Sequence, residues 1–523
     1  SDTQTVSNEL TLKGAEDHLL ALSGSGQFVA AKANVTGEYL AIGSSIKIGE
    51  TSTIIAGAFS VVSSAPDTAN GATVASCYAN GWKFSALLIT WTGATSTDWA
   101  TESNWDLGIV PGSTNLEDAK VIIPDSLSNY PLTSSVYTVG SITVGTENAT
   151  THNATLTLGA NITASDTITN YGTLKLASFD VTATEIKNYG TLNLAGSQTI
   201  TGTKTNGANS SVEYFGTGLT SLPWGASYVN LSFVTGAAGS ITDSLTVSGA
   251  TTIANGSSNI LSLASNENAF SGGVVLNGAG TISLNANSTI SLKKANNTTK
   301  IACTSLALYN SATTDSALEA AYITIGTSTT LTAGGAINAT NTLTNNGTLA
   351  LGTNALSFGS YTGTSDTITA TAGGSITQSG STASAISSLS LTPSGTAVFT
   401  LNGGNGLTLT TATYNATPLK TTGTVNTAVT TGTDKIGALT VSSGTTTLSG
   451  NTAITSVSIA SGATLSAGST ATDAYSITVS GNWTNTMTRL SDQFGSDVKT
   501  TVVYGGDVSQ RRTSFDLVSW REI

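Results

Sequence analysis

Few residues in this chain have the types and spacing for catalysis. Among its 523 residues His18 and His152 are the only imidazoles, and they fall in different segments of the sequence. A Ser-His-Asp arrangement would need one of them beside a nucleophilic serine, and no G-x-S-x-G elbow accompanies either. Cleavage of acidic polysaccharide by a lyase needs a cationic base or clamp beside carboxylates or bound Ca²⁺. The four arginines, Arg489, Arg511, Arg512 and Arg521, all lie in the last 35 residues, and apart from Lys293-Lys294 the earlier lysines stand scattered singly. That distribution argues against a lyase. Asp98, Glu102, Asp106, Glu117 and Asp118 crowd one short segment, but without D-x-D-x-D-G spacing they read as solvated loop carboxylates rather than a Ca²⁺ site. Cys77 and Cys303 are far apart and lack a C-x-x-C pattern, so buried free thiols are as good a reading as a disulfide. The expectation is a protein with no catalytic, metal or cofactor site, and not an enzyme.

Two groups of residues suggest binding instead. Trp91, Trp99 and Trp105, spaced by eight and six residues, would stack on sugar rings if exposed, which would make a glycan site. The same spacing also suits a small core that staples one segment, and that reading is preferred. At the other end, Arg511, Arg512, Phe515, Leu517 and Trp520 form a basic, amphipathic strand pattern. Such a strand could cap an open sheet edge, or pair with the next copy of the chain in a head-to-tail homopolymer.

The elements that must position these residues are β-strands. Charged residues make up 9% of the chain against a usual ~25%, while about three residues in ten are Ser or Thr and 56 are Gly. Thr and Val favour strands, Gly and Asn favour turns, and no sustained i, i+3, i+4, i+7 stripe predicts a helix. Apolar residues make up 39% and alternate in short runs such as "TLTLGANIT", which predicts an ordered β protein rather than a disordered stalk. A net charge of −12 repels phosphate backbones and anionic lipid, so nucleic acid is not an expected partner. No apolar stretch is long enough to insert in a bilayer as a helix.

The chain divides into four segments. Residues 1–90 carry seven short strand-like runs and read as a β-sandwich-like domain, although an irregular solenoid end would have similar spacing. Residues 91–131 form a junction rich in Trp, Asp and Pro. Residues 132–486 repeat short strands with a period of 18 to 22, the sign of a β-solenoid, a parallel β-helix in which each coil stacks on the next; tandem small sandwiches are the alternative. Residues 487–523 read as a cap or assembly unit. Within the repeats, "NYGTLKL" from Asn170 recurs as "NYGTLNL" from Asn188 and, more loosely, as "TNNGTLAL" from Thr344. A coil of about 18 residues would set Asn170 over Asn188, Leu174 over Leu192 and Leu176 over Leu194, and would stack the tyrosines in a ladder. Gly172 and Gly190 would supply the turn before each strand.

The junction also resembles a segment that recurs in secreted bacterial surface proteins, with the pattern W-x-G, D-W, N-W, V-P-G and V-x-I-P. It is carried here by Trp91, Gly93, Asp98, Trp99, Asn104, Trp105, Val110, Pro111, Gly112, Val121, Ile123 and Pro124. The repeats C-terminal to it are similar in texture to filamentous-haemagglutinin and autotransporter-passenger β-helices, without an L-P-x-T-G sorting motif or a C-terminal barrel. The resemblance implies an extracellular or cell-surface location and a structural or adhesive class. The function expected is a non-enzymatic, self-assembling subunit of a filament or surface layer. The alternative is a monomeric adhesin with a solenoid stalk that binds a glycan or a host protein. Scattered N-x-S/T sequons such as Asn148 and Asn346 are common by chance in so Asn- and Thr-rich a chain.

Overall fold

A computed structural model describes residues 87–485 apart from positions 114–115, 257, 297, 430–433 and 468–474, together with the strand backbones between residues 3 and 84 and at 501–504. The chain is all-β, 54% strand and 1% helix, and coils as a parallel β-solenoid of about 17 turns over residues 120–466. It forms two compact units, one of residues 1–217 and 222–231, the other of 218–221 and 232–523.

In the first unit the strands Leu88–Thr90, Lys120–Ile123, Ser141–Val144, Thr167–Asn170 and Val181–Asn188 pair in parallel, each with the next. Their register sets Val121, Ile142, Ile168 and Ile186 in one buried row. A second sheet stacks Leu156, Leu174, Leu192 and Val212 in the same way. Burial alternates residue by residue along these strands because successive side chains point to opposite faces, apolar inward and hydroxyl or charge outward. One expected alignment fails. Leu174 does oppose Leu192, but a bulge sets Ala177, at φ +51°, rather than Leu176 opposite Leu194. An inserted residue of this kind bends one strand relative to its neighbour, and a repeat-by-repeat alignment of the sequence does not register it.

The second unit repeats the scheme with different residues. Leu261, Ile282, Leu306, Ile323, Leu343 and Tyr361 occupy one buried row across six successive strands. Outside, hydroxyls stand rung over rung: Thr342 on Ser360 at 2.9 Å and Thr344 on Thr362 at 3.0 Å.

The strands between residues 3 and 84 correct the sandwich expectation. Thr3–Val6, Gln27–Ala30 and Lys47–Ile48 form one parallel sheet. Leu20–Leu22, Leu40–Ile42 and Val61–Val62 form a second, and Leu10–Lys13, Val35–Glu38, Ile54–Ala56 and Trp82–Phe84 form a third. A sandwich requires antiparallel partners. Partners here lie about twenty residues apart, as with Leu20 opposite Leu40 and Ala41 opposite Val61, which is solenoid pairing. Short strands with frequent turn signals suit either architecture, and only the pairing direction separates them. The strand Thr501–Tyr504 likewise pairs in parallel, with Ser476–Val479. Arg511, Arg512, Phe515, Leu517 and Trp520 lie outside the described residues, as do His18 and Cys77.

Candidate functional site

Two aromatic groups in the first unit are the candidates. The tryptophans lie on an insertion within one coil, residues 91–119, because the strands on either side of it, Leu88–Thr90 and Lys120–Ile123, are direct parallel neighbours; the expected junction of residues 91–131 therefore contains a strand of the coil. Trp91 and Trp99 are fully buried and Trp105 is 3% exposed, so none of the three has an open face for a sugar. Trp105 lies edge-on to both others, with ring centroids 4.9 Å from Trp91 and 4.8 Å from Trp99, the arrangement aromatic quadrupoles favour. Each indole N–H has a backbone acceptor: Trp91 donates to Asn129 O at 2.8 Å, Trp99 to Pro111 O at 3.1 Å and Trp105 to Trp99 O at 2.9 Å. The site is a core of three rings, not a platform.

Asn104 organises the loop around them. Its fully buried side chain accepts from Thr95 N, Ser96 N and Thr95 Oγ1 at 2.8 to 3.0 Å and donates to Ser96 Oγ and Asp98 O, both at 2.9 Å. An amide carries both donors and acceptors on one compact group, which is why Asn serves here. Gly93, at φ +58°, is fixed by its surroundings, since a Cβ there would stand 2.3 Å from Asn129 O. Asp98 accepts from Ala100 N and Thr101 Oγ1, and Asp106 accepts from Thr90 N at 2.9 Å. The acidic residues singled out in the sequence therefore include two that tie backbone turns. Among the described residues no three His, Cys, Asp or Glu side chains gather as a metal site would require. His152 is exposed. Cys303 is partly buried in the strand Lys300–Leu308, and burial pushes its thiol pKa up to about 12.

The second group is built by the "NYG" repeat. Asn170 lies over Asn188 and both are buried. Asn170 Nδ2 donates to Asn188 Oδ1 at 2.8 Å and to Thr191 O at 2.9 Å, and Asn188 Nδ2 donates to Ser211 O at 3.1 Å. The amide row continues to Asn206, whose Oδ1 accepts from Trp224 Nε1 at 2.9 Å. Gly190 allows adjacent coils to approach, because a Cβ on it would lie 2.1 Å from Gly172 O. That close approach, rather than a left-handed φ, is what the glycines of the motif supply.

Between each Asn and Gly the chain turns a tyrosine outward. Tyr171 and Tyr189 stack with ring centroids 5.0 Å apart and planes within 16°, and Tyr189 is 41% exposed. On the next rung is Gly207, where a Cβ would meet the Tyr189 ring at 2.2 Å, so the ring lies on bare backbone. On the rung before Tyr171 is Gly145. The stack is thus two rings long with glycine at each end. Partial burial, then the nearby Glu147 charge, raise the Tyr171 hydroxyl pKa. Lys187, beside the rings, is paired with Glu185 at 3.2 Å, and Thr205 Oγ1 donates to the same carboxylate.

Residue spacing alone prefers a packed core to a sugar platform for the tryptophans and points to the tyrosines for a ladder only; the doubled "NYG" is the signal for an outward pair. Comparison with known protein families, with curated proteins and with solved structures finds no match for this chain.

Proposed function

We propose that the chain is a non-enzymatic structural protein of the cell exterior whose copies assemble into a filament or surface layer. The observation that supports this reading is the coil itself. Its interior strands are hydrogen-bonded to a strand on either side, so load is spread over ladders of bonds, and the buried faces form continuous apolar rows. Such a body resists local opening because breaking one rung exposes two apolar surfaces to water. A net charge of −12 disfavours nucleic acid and anionic lipid as partners. Electron microscopy of the full chain and of a chain ending at residue 488 tests this. Ordered polymers from the full chain, lost in the shorter one, are expected, whereas single particles of constant size in both samples would overturn assembly.

A second reading, a monomeric adhesin that binds glycan or host protein, is favoured by the exposed tyrosine stack. Loss of binding in Trp99→Ala would not identify its site, because Trp99 is part of a core.

A further inference from the structure

We propose that the stacked rings of Tyr171 and Tyr189, with the charged groups at their rim, form a binding site for a neutral glycan. The inference rests on the adhesin reading and locates its binding site.

The coil does not need an aromatic at this corner. The third copy of the motif makes the same turn with Asn346 where the others have tyrosine. Its buried Asn345 donates to Thr367 O as Asn170 does to Thr191 O, and Gly347 again permits close approach, with a Cβ there 2.2 Å from Thr329 O. Asn346 faces outward and its Oδ1 accepts from Thr364 N. The two phenol rings are therefore an addition to a corner that closes without them, and they hold apolar area at the surface.

A pyranose has an apolar C–H face that stacks on such a ring and hydroxyls that need donors and acceptors around its edge. Tyr189 supplies an exposed ring and the phenol hydroxyls supply donors. The Glu185–Lys187 pair and the Glu147 carboxylate supply the rim. Glycine at both ends stops the platform after two rungs, about 10 Å at ~4.8 Å per strand, so a short stretch of glycan is the occupant rather than a long ribbon. The ligand is uncharged because Glu147, Glu185 and Asp166 outnumber Lys187 here, on a chain of net charge −12, and would repel an anionic polysaccharide.

The test is saturation-transfer NMR and isothermal titration of the full chain against cellohexaose, chitohexaose and mannohexaose, with hexagalacturonate as the charged comparison. At least one neutral hexaose should bind and hexagalacturonate should not. Tyr189→Ala should weaken binding by about tenfold or more, with no loss in Tyr309→Ala, which removes a lone exposed ring elsewhere. Tyr189→Asn, which copies the Asn346 corner, gives the same readout if the alanine variant fails to fold. Undiminished binding in folded Tyr189→Ala or Tyr189→Asn would overturn this site while leaving an adhesin with its site elsewhere. Failure of every neutral hexaose to bind the native chain would overturn the proposal and count against the glycan-binding form of that reading.

Discussion

The tryptophan cluster and the tyrosine stack are both aromatic groups with edge or face packing near 5 Å, yet they belong to opposite sides of the protein surface. The tryptophans sit in an insertion that leaves the coil and folds back on itself, so each ring finds ring or backbone on all sides. The tyrosines sit at a corner of the coil, where successive residues one coil apart are superimposed, the rings stack along the axis and only a few charged side chains stand at their rim. An irregular loop can enclose its side chains. A periodic corner can only stack them, and the outer edge of the stack stays wet.

If that contrast is right, substitutions in the two groups should differ sharply in cost. Trp105→Ala should be the most damaging, destabilising by about 3–5 kcal/mol because it empties the centre of a three-ring core; a urea unfolding series followed by Trp fluorescence would show it. Asn104→Leu should rank second at about 2–4 kcal/mol, since the fully buried Asn104 side chain is the acceptor for the Thr95 and Ser96 amides and a donor to Asp98 O. A loss under about 0.5 kcal/mol in that variant would mean that water replaces the amide and that the loop is not held by Asn104. Asn188→Leu removes one of the two acceptors of Asn170 Nδ2 and the side-chain donor to Ser211 O, costs about 1–3 kcal/mol, and should raise amide hydrogen exchange in the flanking coils first. Tyr189→Ala should cost under about 1 kcal/mol because the ring is half exposed and leaves no cavity; an unfolding midpoint shifted as far as that of Trp105→Ala would erase the distinction.

A pH titration sharpens the same comparison between enclosed and open rings. Burial raises the phenol pKa of Tyr214, Tyr361 and Tyr414, with the Asp366 carboxylate adding to the effect at Tyr361. The neutral phenol is the form the fold accommodates, whereas in the unfolded chain tyrosine ionises near ~10. Stability should therefore be unaffected by these groups below about pH 10 and be lost progressively as pH rises from there toward the folded values. Circular dichroism between about pH 8 and 12 would track it; a midpoint flat across that range would contradict the burial of these rings.

Composition and pattern made much of this legible. Thr, Val, Gly and Asn in short alternating runs dictated strands and turns, and the doubled "NYGTL" phrase dictated which residues superimpose, because a parallel coil places equal positions of equal repeats in register. Asn170 over Asn188 and Leu174 over Leu192 come from arithmetic on the repeat. Two things were not legible. Strand direction between residues 3 and 84 was hidden, since a turn signal does not say whether the next strand returns beside its predecessor or goes round the coil. The bulge at Ala177 was hidden because it changes the register without changing the motif. Which aromatics face water was legible only as a preference, since hydrophobicity ranks Trp and Tyr but exposure depends on what the neighbouring coils bring to the same rung: Asn129, Pro111 and Tyr137 around the tryptophans, and Gly145 and Gly207, which carry no side chain, on the rungs next to the tyrosines. Local sequence fixes what each residue can do, but the enclosure of a side chain is a sum over residues distant along the chain, and that sum exists only once the coils have stacked.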